Sequence, residues 1–108
     1  MSREQRIHYE ILDRVFKADG VNGYATDTRT FTESLLPLFS DISPEEFTAA
    51  CRHLVADKRL DIRYQGLGDA QSVFGGQFFL FRAPLSRAYF DDLRRLIDVP
   101  SFRKLKGP

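Results

Sequence analysis

Cysteine is nearly absent from this chain. Cys51 is its only one, so no internal disulfide can form, and no second thiol or histidine stands at zinc-finger spacing from it. That scarcity suits a reducing cytoplasm. Long apolar runs are missing too: nothing approaches the roughly 20 residues that a membrane-spanning helix needs. The opening MSREQR lacks the apolar centre of a signal peptide. The expectation is a cytoplasmic protein with no membrane contact. Excess charge is lacking as well. The net charge is +1, and nucleic-acid binders are usually more basic overall. Catalytic signatures are also wanting. There is no His-Glu-x-x-His, no serine elbow and no paired carboxylate site. Gly66, Gly68, Gly75 and Gly76 precede no Lys-Ser/Thr and sit between two strand patterns, which excludes a phosphate loop. Neither an enzyme nor a cofactor is expected.

What is abundant is aromatic mass. Ten Phe and four Tyr in 108 residues supply a core without disulfide or metal. The best-defined stretch is Ile42–Leu60, ISPEEFTAACRHLVADKRL. Ser43 is a favoured N-cap, Pro44 fits the first helical position, and Glu46 completes a capping box, with Ile42 and Phe47 as a hydrophobic staple. Phe47, Ala50, Cys51, Leu54 and Val55 recur at three- and four-residue spacing and form one apolar stripe. Glu45, Thr48, Ala49, Arg52, His53 and Ala56 make the other face.

Before this helix, Ser2 with Gln5 caps a helix from about Arg3 to Ala18, with Ile7, Ile11, Leu12, Val15 and Phe16 inward and Gly20 as its left-handed stop. Tyr24–Thr26 reads as a short strand. Thr30 with Glu33 caps a short second helix carrying Phe31, Leu35, Leu38 and Phe39 on one side, and Pro37 limits it. After Arg59 the period becomes two. Leu60, Ile62 and Tyr64 alternate with Asp61, Arg63 and Gln65, a glycine-bearing loop follows over 66–76, and QFFLFR (77–82) returns as a strand apolar on both sides. A last helix from Ser86 to about Asp98 carries Leu85, Tyr89, Phe90, Leu93, Leu96 and Ile97 as a wide apolar arc. It is expected to cover the strand's second face or to form a homodimer contact, and Pro100 ends it.

This order of elements, with Ser43-Pro-Glu-Glu-Phe and the junction Leu54-Val-Ala-Asp-Lys-Arg-Leu-Asp-Ile62, resembles the winged helix-turn-helix superfamily. Small regulators of the PadR and MarR kind are similar in size and in their added terminal helix. Most of them place a glycine in that junction, where Asp57, Lys58 and Arg59 stand here. The resemblance implies an α+β winged helix: a three-helix core and a two- to three-stranded antiparallel wing over 1–82. A C-terminal helix over 83–100 and a basic tail over 101–108 would follow. It further implies that helix 43–57 enters a major groove of double-stranded DNA. Thr48, Ala49, Arg52 and His53 would then face bases or phosphates, and Arg63, Gln65, Gln71 and Ser72 would contact DNA from the wing. Arg52 stands out because a guanidinium can hold guanine bidentately, worth about 1–3 kcal/mol of discrimination. Charge is uneven. Residues 31–60 hold three Lys/Arg against five Asp/Glu, and residues 83–108 hold six against three, including Arg103, Lys104 and Lys106. The acidic opening Glu45-Glu46 would repel phosphate and suit a basic protein, so a winged helix used as a protein-binding adaptor is the rival expectation.

The remaining candidates have plain readings. His53 and Asp57 lie four apart on one helix, but no third ligand is near in sequence, so a surface hydrogen bond is expected rather than a metal. His8 reads as a boundary residue of the first helix and Cys51 as a structural thiol. Val73 and Phe74 stand out in the wing loop as apolar residues that a solvated tip does not need.

Overall fold

The computed structural model describes residues 1–64 and 76–98. Seven elements follow in order: α1 (Arg3–Lys17), β1 (Tyr24–Thr26), α2 (Thr28–Ser34), α3 (Pro44–Ala56), β2 (Asp61–Tyr64), β3 (Phe78–Phe81) and α4 (Ser86–Asp98). The class is α+β, with four helices and one three-stranded antiparallel sheet in the order β1-β3-β2. β3 is central because only it is apolar on both faces. Its partners are Tyr24↔Leu80 on one side and Ile62↔Leu80 on the other.

Local chemistry explains the helix starts. The Ser2 side chain accepts from the Gln5 backbone N–H, and the Gln5 side chain accepts from Ser2 N–H at 2.9 Å, a complete capping box. On the wet side of α1, Arg14 meets Glu10 at 3.1 Å and Lys17 meets Asp13 at 2.9 Å. The other two boxes differ from expectation. Asp27, not Thr30, caps α2: its carboxylate accepts from the Thr30 N–H at 2.8 Å and from the Thr30 hydroxyl at 2.9 Å. A carboxylate is a stronger acceptor than a hydroxyl, so the cap sits three residues earlier. Ser43 does cap α3, at 3.1 Å from the Glu46 N–H. The Glu46 side chain, however, leaves that turn for Arg3, 43 residues away in sequence.

A turn corrects one further expectation. Helix α1 ends at Ala18 in extended backbone, and the left-handed residue of that loop is Gly23 (φ 73°), not Gly20. A Cβ on Gly23 would lie 2.8 Å from the Phe81 ring and 2.9 Å from the Leu80 carbonyl oxygen. At the end of α3, Lys58 takes φ 60°; its N–H donates to Val55 O at 3.0 Å and the Arg59 N–H to Leu54 O at 2.8 Å. That pair of bonds is a Schellman motif with lysine where glycine is usual. It turns the chain straight from α3 into β2.

The core lies between α1, α2, α3 and the inner face of the sheet. Phe47 stacks on Phe31 at 4.6 Å between ring centroids and faces Phe78 at 6.4 Å, and all three are buried. Leu38, expected on α2's buried side, is exposed because α2 stops at Ser34, before it. The last helix does not cover the sheet. It packs on α1, where Phe90 stacks on Tyr9 (5.4 Å) and Phe16 (4.8 Å). The sheet's outer face carries half-buried Phe79 and Phe81, and the Arg63 guanidinium lies 4.5 Å above the Phe81 ring. Hydrogen bonds fix where α4 begins. Leu85 N–H donates to Lys58 O at 2.9 Å, and the buried Ser86 hydroxyl donates to Arg59 O at 2.5 Å.

Candidate functional site

Helix α3 turns Phe47, Ala50, Cys51 and Leu54 into the core. At 100° per residue the opposite side is Glu45, Ala49, Arg52 and Ala56, with Thr48 and Val55 on one flank and Glu46, His53 and Asp57 on the other. Glu45, Arg52, Val55 and Ala56 are exposed and Thr48 is half-buried. The four α3 residues expected to touch a ligand therefore divide. Thr48 and Arg52 face open surface. Ala49 and His53 border a small cleft against α1, shared with Glu4, Ile7, Glu46 and Ala50. Arg63 is exposed on β2, where it bonds Asp61 at 3.3 Å and covers Phe81. Gln65, Gln71, Ser72, Val73 and Phe74 lie outside the described residues, as do Pro100 and the tail residues Arg103, Lys104 and Lys106.

The acidic opening of α3 is largely neutralised from α1. Arg3 Nε meets Glu46 Oε2 at 2.7 Å, while its Nη2 reaches Glu46 Oε1 and Asp41 Oδ1, each at 2.9 Å. This fork holds both carboxyls below their ordinary ranges, through the Arg3 hydrogen bonds first of all. Glu45, also exposed at that end of the helix, lies outside this fork.

Next to His53 the structure assembles a cleft that the sequence reading did not foresee. It is open, about 630 Å³ in volume, and bordered by Glu4, His8, His53, Asp57, Arg59 and Tyr89 among others. His8 is no boundary residue: it is 4% exposed, and its Nδ1 is 2.7 Å from the Tyr89 hydroxyl. Its Nε2 is buried with no hydrogen-bond partner. Burial pushes the His8 imidazole below its ordinary 6.5, with Glu4 pulling the other way, so the ring is neutral at pH 7. Glu4 Oε1 stands 3.9 Å from His8 Nε2 and 3.9 Å from His53 Nδ1. Asp57, expected to bond His53, accepts instead from Arg59 at 3.4 Å, and the Arg59 guanidinium lies 3.7 Å over the Tyr89 ring. One signal of this cleft was in the sequence: Glu4 and His8 are four apart, on one face of α1. What joins them to His53 is the packing of α1 on α3.

Cys51 is fully buried, and burial pushes its thiol far above the usual range, as a structural thiol requires. Among the described residues no helix is long and apolar enough to cross a membrane. The chain matches no protein-family profile, no curated protein and no solved structure.

Proposed function

We propose that the chain is a winged helix-turn-helix protein that binds double-stranded DNA as a transcriptional regulator, reading the major groove with the outward side of α3. The observation that carries this reading is Arg52. It is exposed at mid-helix, with small Ala49 and Ala56 on the same side, so the helix backbone can approach a groove closely while a guanidinium reaches a guanine edge. The element order and the sheet order β1-β3-β2 support the winged arrangement. Arg3 supports it too, by relieving the repulsion that Glu46 and Asp41 would exert on phosphate.

The test is a salt titration of binding to random-sequence duplex, followed by selection of a preferred site. Affinity for random duplex should fall linearly in log–log form with salt. Arg52→Ala should cost about 1–3 kcal/mol on the selected site and much less on random duplex. Absence of binding at low salt overturns the reading.

A second reading, a protein-contact module or homodimer, has its own observation. Met1, Phe39, Leu96 and Ile97 border an open cleft of about 380 Å³ with Arg3 and Arg6. Leu96, Met1 and nearby Leu38 are each close to half exposed. In that reading the protein sediments as a dimer or captures a partner, and ignores DNA.

A further inference from the structure

We propose that Glu4, His8 and His53 form a binding site for a divalent transition-metal ion of the zinc, cobalt or nickel type. One ligand atom from each of the three lies within 4.8 Å of the other two. Two imidazoles and one carboxylate are the donor set that such ions take in three-ligand sites, and the two nitrogen donors select against magnesium and calcium.

Three features separate this cluster from an ordinary polar surface. First, His8 Nε2 is buried, points at Glu4 and His53, and has no hydrogen-bond partner. A buried ring nitrogen without a partner has lost its hydration with nothing in exchange until something binds it. Second, the ring is already oriented. Nδ1 is 2.7 Å from the Tyr89 hydroxyl, and in the tautomer whose Nδ1–H donates there, Nε2 presents its lone pair to an ion. Third, the remaining two ligands are free to close. Tetrahedral bonds of about 2.0–2.1 Å place ligand atoms roughly 3.3 Å apart, so each must move by an ångström or so. Glu4 and His53 are about 60% exposed at their side chains and can swing, while buried His8 stays fixed.

The surrounding charges permit a cation. Arg59 borders the same cleft, but its guanidinium lies flat on Tyr89 and bonds Asp57, which offsets its charge. Imidazoles hold an ion as neutral donors, and the Glu4 carboxylate brings the negative charge to the set. The open side of the cleft leaves a fourth position to water or to an added ligand. The ion would tie the first turn of α1 to the last turn of α3. This inference stands whether or not α3 reads DNA.

The experiment titrates the intact chain with Co²⁺ and follows its visible absorption, then displaces it with Zn²⁺. Saturable binding of a single ion with nitrogen-ligand absorption is expected, together with a rise in the thermal midpoint on adding Zn²⁺. His53→Ala and Glu4→Gln change exposed residues, so both variants should keep the metal-free midpoint and lose the absorption. Tyr89→Phe should weaken binding by about 10–100-fold through loss of the ring's orientation. Absence of absorption in excess Co²⁺ overturns the proposal. So does binding that survives in both His53→Ala and Glu4→Gln, which would place the ion elsewhere.

Discussion

Helix α3 has two very different neighbours. Towards α2 and β3 it meets a dry aromatic stack of buried Phe31, Phe47 and Phe78. Towards the start of α1 it meets a polar cleft, in which a buried histidine keeps one ring nitrogen unpartnered and the Glu4 carboxylate stands 3.9 Å from each of two imidazoles. The first neighbour stabilises and the second does not. Groups that are packed and satisfied hold a fold together, whereas polar groups gathered without satisfying one another are kept for something else. The aromatic side therefore reads as scaffold and the cleft, with the outward face beside it, as working surface.

That contrast can be broken in order of effect. Phe47→Ala, at the middle of the stack, should cost about 3–5 kcal/mol in denaturant unfolding, since its neighbours are too well packed to refill the space. A loss below 1 kcal/mol would mean that the stack is not the scaffold. The two left-handed residues should respond with opposite signs. Gly23→Ala should destabilise by about 1–3 kcal/mol, from strain and from contact with Phe81 and the Leu80 carbonyl. Lys58→Gly should gain up to about 1 kcal/mol by relieving lysine's cost at a Schellman position. The smallest effect is at Arg3, on the polar side, and it depends on pH. Arg3 lowers the carboxyls of Glu46 and Asp41 in the folded state below their ordinary 4.5 and 3.8. A lowered folded value means stability that is present above the ordinary value and lost as pH falls through the lowered one. Arg3→Gln should thus be slightly less stable than the parent at pH 7 and indistinguishable from it at pH 2, by thermal melts across that range. A gap that persists in acid would show that Arg3 acts by packing on Phe39, 4.8 Å away, and not by charge.

Local chemistry was legible in the sequence; long-range pairing was not. Ser2 with Gln5, Ser43 with Pro44, and the change of period after Arg59 each act within a few residues, and each produced the helix end or strand expected of it. Thr30 with Glu33 is also a valid local pattern, yet Asp27 starts the helix earlier by accepting from the backbone N–H of Thr30 itself with a stronger acceptor. Glu46 reads in the sequence as part of its own cap because a partner 43 residues away leaves no local trace. His8 is the same failure at the candidate site. Its place at the edge of α1's stripe says nothing of Tyr89 on α4 or His53 on α3, which arrive only when three helices pack. The apolar arc of α4 had the converse problem. Its residues announced a contact but not which one, and α1 took it in place of the sheet.

The proposal that α3 reads DNA is tested most directly by amide and arginine side-chain NMR of the protein with and without a short duplex. The account predicts that the largest shifts cluster on Thr48, Ala49, Arg52 and Ala56, while α4 and the sheet's outer face stay still. Shifts confined to Met1, Phe39 and Leu96, or none at low salt, would contradict it.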